Sequence, residues 1–294
     1  MAETMNIISF DIEDWFHPEM FSGRFPRENW TELESRVRRD TDIILNFLSR
    51  KNVKATFFYL GWVAEKFPEL VKDTVSGGHE IASHSYSHSM ITKMEPEEFR
   101  ADLRRSLDVL NDLSDHPVVG FRAPTFSVTR DTLWALPIMF EEGIRYDSSV
   151  FPIHHDRYGI PDAPREPFVI YEKDGEELIE YPMTTVRYGS YNLPFGGGGY
   201  FRLYPFWMSM KLAKKCQEEG RPIMFYAHPW EFDTELPEIE LGMLSKLRHY
   251  KGIRSFLQRL DRMTDLFPFT SFREAGLAVN RELEVQLDAS HQTS

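Results

Sequence analysis

Short apolar runs ending on a polar or charged residue, each followed by a segment of helical spacing, recur through the first half of this chain. Asn6–Asp11 (NIISFD) reads as a buried strand that ends on an acid. A capping-box signature at Thr31-x-x-Glu34 follows, and Leu33, Val37, Ile44, Phe47 and Leu48 then recur at helical spacing. Val53–Tyr59 is β-rich and precedes a helix that runs to about Val75 and stops at Gly77-Gly78. His79–Ala82 is a third short strand, Phe99, Leu103, Leu107 and Leu110 mark the next helix, Val118–Phe121 is a strand, and Thr129–Glu142 is a helix closed by Gly143. This alternation predicts an α/β fold, with a parallel sheet and helices packed outside it. In such sheets, and in barrels made from them, the carboxyl ends of the strands carry the active site. Asp11, the Ser83–His88 segment, Arg122 and Asp147 all follow predicted strands directly.

The pattern breaks between residues 151 and 205, where prolines, glycines and tyrosines surround strand-like stretches at Phe168–Tyr171 and Leu178–Tyr181. This reads as a loop and β insertion over the mouth of the sheet rather than a second domain. A helix at Trp207–Glu219 and a strand at Pro222–Ala227 resume the alternation, and that strand ends on His228. One domain is expected over 5–280, with 231–280 a C-terminal helical extension and 281–294 a flexible tail. A chain of 294 residues, 41% hydrophobic and 27% charged, has enough apolar material for one large core. A net charge of −12 without a basic, aromatic-interleaved stripe argues against nucleic acid as a partner. No apolar run approaches the roughly 20 residues that a membrane span needs. The lone Cys216 and the opening MAETMNIISF, which lacks a long apolar stretch, point to a cytoplasmic setting.

The sharpest chemical signal is His84-Ser-Tyr-Ser-His88. Two histidines at i and i+4 share a face of a helical turn and can reach one metal ion. Asp11-Ile-Glu13-Asp14 offers three carboxylates at the end of the first strand, followed at once by Trp15 and Phe16. Clustered acids in an apolar setting are costly unless a cation is near. Two histidines and one carboxylate leave coordination positions open, the pattern of a catalytic centre rather than a structural one. A second carboxylate could then serve as base towards water. Arg122 can orient a carboxylate through its fork, and His228 could protonate a leaving amine. Gly196–Gly199 lacks the Lys-Ser/Thr of a phosphate loop and reads as a close backbone approach, while His154-His155 reads as polar loop.

The acidic motif, HSYSH, Gly120-Phe-Arg-Ala-Pro124, Tyr146-Asp147-Ser148 and a strand-end histidine stand in an order that resembles the polysaccharide deacetylase family (NodB homology, carbohydrate esterase 4), over about Asn6 to Trp230. The stretch Gly196–Arg202, the motif from His228 to Asp233 and the C-terminal extension resemble the subgroup found in exopolysaccharide gene clusters with PEP-CTERM sorting systems. The resemblance implies a distorted, seven-stranded (β/α) barrel holding one divalent metal, usually zinc. It implies Asp11 as general base, oriented by Arg122, with His84 and His88 as metal ligands. His228 would be the general acid, held and tuned by Asp147, and Thr125 would offer a backbone N–H to the oxyanion. The family's TFDDG is SFDIED here, so the ligand acid is Glu13 or Asp14. The i, i+2 spacing of some relatives favours Glu13, and the shorter side chain favours Asp14. RPPYG is replaced by RAPTF, and the aromatic expected after Asp147 is absent. The implied activity is metal-dependent hydrolysis of the acetamide of amino sugars in a polysaccharide or its oligosaccharide precursor. Trp15, Tyr200, Phe201 and Trp230 are the aromatics available to stack on sugar rings. The rival readings are an allantoinase-like cyclic-amide hydrolase on the same fold and a non-catalytic glycan-binding protein.

Overall fold

Every residue of the first strand, β1 (Asn6–Ile12), is buried, as a central parallel strand covered on both faces should be. In this computed structural model, which describes residues 5–282, β1 lies beside β10 (Met224–Ala227) and β2 (Thr56–Tyr59), and the order continues through β3 (Glu80–Ser83), β4 (Gly120–Phe121), β5 (Tyr146–Asp147) and β7 (Glu176–Glu180). All pairings along this path are parallel, and β6 (Phe168–Lys173) adds an antiparallel edge to β7. The order β10-β1-β2-β3-β4-β5-β7 is the expected set of seven parallel strands. β11 (Phe269–Thr270) pairs only Asn6 and Ile7, below the point where β2 takes over. Residues 283–294, nearly all of the expected tail, lie outside the described residues.

The barrel is distorted because β7 and β10 are not neighbours in the sheet. The chain between them fills the gap. The Met224 N–H donates to Thr184 Oγ1 (2.5 Å), and the Tyr226 N–H donates to the Gly196 carbonyl (2.9 Å). The 151–205 segment is therefore more than a cover over the mouth, since β7 completes the parallel sheet. Its remaining hairpin, β8 (Thr185–Tyr188) with β9 (Tyr191–Pro194), forms a separate two-stranded sheet.

Helices α1 (Val37–Lys51), α2 (Gly61–Lys66), α3 (Pro68–Ser76), α4 (Pro96–Leu113) and α5 (Ala135–Glu141) alternate with the strands. The expected single helix before Gly77 is divided at Pro68, which starts α3 because it has no N–H to donate to a preceding turn. After the insertion come α6 (Gly198–Leu203) and α7 (Phe206–Glu218), then α8 (Met243–Tyr250), α9 (Ile253–Leu266) and the short α10 (Phe272–Ala275).

Strand alternation decides what faces the interior. Ile7, Phe58, Ala82, Tyr146, Met224 and Tyr226 form one cluster inside the barrel, while Ile8, Phe10 and Ile12 join the larger core under the helices. The odd-numbered residues of β1 thus point inward, and the parity carries Ser9, Asp11 and Glu13 to one side and Asp14 to the other.

Asp14 accordingly caps α1. Its carboxylate accepts from the Arg36 and Val37 N–H groups (3.1 and 3.4 Å) and from the Ser35 hydroxyl (2.5 Å). The Thr31–Glu34 capping box does not form, since Arg27–Glu32 is a 3₁₀ turn and α1 begins only at Val37. A buried carboxylate from another element does the work instead. Asp14→Ala should lower stability by about 1–3 kcal/mol, the cost of a lost cap with buried donors left unpaired. Read as a fall in the urea midpoint, this loss should leave bound metal stoichiometric; loss of metal would return Asp14 to the ligand set.

Candidate functional site

Arg122 follows β4 and is wholly buried, so each of its donors needs an acceptor. Nη1 donates to Asp11 Oδ1 (2.7 Å) and Ser9 Oγ (2.9 Å), Nη2 to Ser148 Oγ (3.0 Å), and Nε to the Ser148 carbonyl (3.1 Å). The guanidinium carbon also lies 4.1 Å from the Phe58 ring centroid. Asp11 is therefore clamped through one oxygen. Its other oxygen, Oδ2, lies 3.9 Å from His228 Nε2.

Glu13, His84 and His88 converge beside this pair, with one ligand atom from each lying within 4.8 Å of the others, all buried. Glu13 Oε2 is 2.6 Å from His88 Nε2. His84 Nδ1 sits 2.8 Å from the Arg122 carbonyl; as donor there, it leaves Nε2 with a lone pair for a metal. The donor set and its fixed imidazole fit a divalent cation of the zinc type. The histidines do not lie on a helical turn. HSYSH is an irregular loop after β3 in which Ser85 and His88 have positive φ (65° and 56°), and this backbone brings the two rings 5.2 Å apart. Of the two acids left open by the sequence, Glu13 joins the histidines. Burial acts to raise its pKa, but His88, His228 and His84 outweigh burial and hold the carboxyl below the usual range.

His228 follows β10 with its Nδ1 3.1 Å from Glu231 Oε2 and its Nε2 facing Asp11 and Glu13. Burial alone would lower its pKa; Glu13, Glu231 and Asp11 together push it up to about 9. The expected partner, Asp147, is not there. Tyr146 and Ser148 point into the barrel, so Asp147 between them faces outward, with Oδ1 2.5 Å from Ser149 Oγ and Glu180 as its buried neighbour. Burial raises the pKa of both acids of that pair. Glu231 was missed in the sequence, although its i+3 spacing from a strand-end residue is that of a capping box, which it forms with His228. Arg202 Nε donates to its other oxygen (2.7 Å), and a Cβ on Gly198 would overlap its carboxylate. The glycine run is thus a close backbone approach, as expected, and what approaches it is Glu231.

The cleft over these groups, about 360 Å³, is lined by Asp11, Glu13, His84, His88, Thr125, His228 and Trp230, and also by His155, Arg157, Tyr158 and Arg248. Thr125 and Phe126 both adopt left-handed backbone (φ 57° and 52°), a strained turn that sets Thr125 on the wall. Trp230 is no sugar platform. Its Nε1 donates to Glu13 Oε1 (3.1 Å), and its ring lies near-parallel to His228 (5.2 Å) and His249 (4.9 Å). Tyr200 bonds Tyr158 and lines a separate hollow with Pro152 and His154, while Trp15 and Phe201 are core. His155, read as polar loop, lines the cleft.

A family profile described as polysaccharide deacetylase matches residues 34–138, and one described as a domain of unknown function (DUF3473) matches 148–276. The chain is 40% identical over 96 residues to a peptidoglycan-N-acetylglucosamine deacetylase of Bacillus cereus, covering 32% of this chain and 35% of that one. It is 32% identical over 84 residues to chitin deacetylase 1 of Cryptococcus neoformans, covering 29% and 18%. The chain thus aligns with about a third of the first relative's length and less of the second's. Among solved structures, one described as a putative polysaccharide deacetylase from Mycobacterium smegmatis superposes with a TM-score of 0.56 at 19% identity, over 92% of this chain and 95% of that one.

If Glu13, His84 and His88 hold the metal, Glu13→Gln, His84→Ala and His88→Ala should each lose it while Asp11→Asn keeps it. Metal analysis of the folded variants decides this, and stoichiometric zinc in His84→Ala would remove that residue from the set.

Proposed function

We propose that the chain, whose residues 34–138 match the polysaccharide deacetylase profile, works as a member of that family and hydrolyses the acetamide of N-acetylated amino sugars in a polysaccharide or its oligosaccharide precursor, releasing acetate. The observation that carries the reading is the set of groups meeting in one cleft. It contains a buried Glu–His–His triad, a separate carboxylate clamped by a buried arginine, and a histidine whose far nitrogen is held by an acid. The resemblance of the Gly196–Arg202 and His228–Asp233 motifs to the exopolysaccharide subgroup supports an exopolysaccharide as the glycan.

A divalent cation, zinc in this reading, held by Glu13, His84 and His88, would supply Lewis-acid polarisation of the acetyl carbonyl and a more acidic water. Asp11 takes the proton from the attacking water through Oδ2, the oxygen that Arg122 leaves free. Thr125 offers its backbone N–H to the oxyanion from the wall. As the C–N bond breaks, His228 Nε2 gives its proton to the departing amine. Glu231 keeps the imidazole oriented and favours its protonated form. Trp230 holds Glu13 in register with His228.

Release of acetate from a fully N-acetylated chito-oligosaccharide by zinc-loaded protein tests this directly. Turnover of a hydantoin-type amide instead would favour the cyclic-amide rival, and tight glycan binding with neither turnover would favour a binding protein. Asp11→Asn and His228→Ala should each lower the rate by roughly 10²–10⁴ per folded, metal-loaded molecule, the usual worth of an acid–base group.

A pH profile separates the two candidate partners of His228. A general acid works while protonated, so its pKa sets the alkaline limb of kcat/KM. Glu231 raises that pKa, so Glu231→Gln should move the limb to lower pH. Asp147→Asn should leave it in place, because Asp147 faces away. The reverse pattern would restore Asp147 as the partner.

A further inference from the structure

The hollow over Asp11 and Glu13 runs on into a second of about 670 Å³, and the two share Glu19, Met20 and the segment from His155 to Tyr158 as a common wall. Several cations nearby are already committed: Arg122 to Asp11, Arg202 to Glu231, Lys93 to Glu19. Arg157 and Arg248 are not. Both are exposed and line the hollow over the triad, and neither guanidinium has a hydrogen-bond or ion-pair partner among the described residues. In a chain of net charge −12, carboxylates are plentiful and several line this cleft, yet neither of these two cations is ion-paired with one among the described residues.

Both are held firmly from behind. The Arg248 carbonyl accepts from Arg202 Nη1 (3.3 Å), and the next residue, His249, lies against Trp230, which lies against His228. The Arg157 N–H donates to His155 Nδ1 (3.2 Å), and the Tyr158 ring stacks on His155 at 3.9 Å. Gly159, at φ 101°, then turns the chain where a Cβ would overlap the Ile153 carbonyl. With the backbone already fixed at both positions, binding would have to order only the two side chains. The two guanidinium groups line the same cleft, and both act on His155. The His155 pKa is lowered first by burial and then by both of them, against Asp156. The anions that line the two hollows are Asp11, Glu13, Glu19, Asp131 and Asp156, of which Arg122 pairs Asp11, His88 lies against Glu13 and Lys93 pairs Glu19. Asp131 is exposed in the outer hollow, and the Asp156 side chain is 81% exposed, so water screens both.

We propose that this cleft is built for an acidic glycan, with Arg157 and Arg248 binding a carboxylate or phosphate next to the acetamido sugar whose amide reaches Asp11 and His228. The proposal rests on the deacetylase reading above and narrows its substrate. The planar guanidinium fork matches either oxyanion. The anion has two sources, a uronate within the glycan or the diphosphate of an activated precursor.

Three probes distinguish them: hyaluronan tetrasaccharide, fully N-acetylated chitotetraose and UDP-N-acetylglucosamine. Acetate release is followed at low and high salt. At least one anionic probe should show a KM about tenfold below that of chitotetraose at low salt, the order expected for two partly exposed ion pairs. Salt should erode that advantage, and the Arg157→Gln/Arg248→Gln double variant should abolish it. The better anionic probe identifies the source. Equal KM values, or an advantage that survives in the folded double variant, overturn the proposal. Calorimetric binding of the same probes to Asp11→Asn protein reads the cleft without turnover. An arginine-dependent preference there, with no acetate released from any probe by the wild type, would keep the acidic-glycan site and sink the deacetylase reading. No preference in binding sinks the acidic-glycan site whatever the turnover.

Discussion

A fully buried guanidinium organises the carboxyl end of this barrel. Removing a cation from water costs several kcal/mol unless its partners surround it. Arg122 meets that condition with Asp11 and Ser9 from β1, Ser148 from the chain just after β5, and the Phe58 face from β2. Its own carbonyl, in turn, fixes the His84 ring. One residue therefore ties Asp11 to the triad of Glu13, His84 and His88 and holds β1, β4 and β5 in a single register at the level where the cleft opens. Replacing it would strip the buried Asp11 carboxylate of its one short ion pair, so orientation of Asp11 and integrity of the strand ends are not separable properties here.

The strand–helix alternation, the parallel sheet and the strand-end clustering of polar residues were all legible in the sequence, because burial on both faces leaves near-continuous apolar runs. What was not legible follows mostly from parity. Period-two alternation places Ser9, Asp11 and Glu13 together and turns Asp14 to α1, so the choice between Glu13 and Asp14 was decidable in principle once β1 was taken to run through residue 12. Asp147 misleads for the same reason. The strand that carries it is only Tyr146–Asp147, too short to show an alternation, and its side chain falls on the outer face with Glu180. The HSYSH pair was found by a spacing that belongs to helices but works here through two positive-φ residues, which sequence periodicity does not register.

The glycine run shows how a feature can be read in kind without its object. It is a site of close approach, and the approaching group is the Glu231 carboxylate, whose position is fixed from the far side by Arg202 in the same motif. Arg202 also donates to the carbonyls of Arg248, His249 and Lys251, so the end of α8 is anchored to the group that positions His228. Trp230 and His249 continue the contact through their rings. A change at Gly198 would therefore be felt at the imidazole and at the mouth of the cleft together.

The chemistry is divided along the chain in a way that the matched profiles make visible. Residues 34–138 contain His84, His88, Arg122 and Thr125, while 148–276 contain His155, Arg157, Arg202, His228, Glu231 and Arg248. Asp11 and Glu13 precede both. The second stretch does not stand apart, because β7 and β10 are members of the sheet that begins with β1, and His228 faces Asp11 only because β10 pairs with β1 in the register Phe10–Ala227. The first stretch, which matches the deacetylase profile, carries the two histidines of the triad and the arginine that clamps Asp11. The second supplies His228 and its acid partner Glu231, along with the walls formed by His155, Arg157, Tyr158 and Arg248. Differences between this cleft and those of its relatives should therefore arise in the second stretch, with the two histidines and the buried arginine of the first held in common.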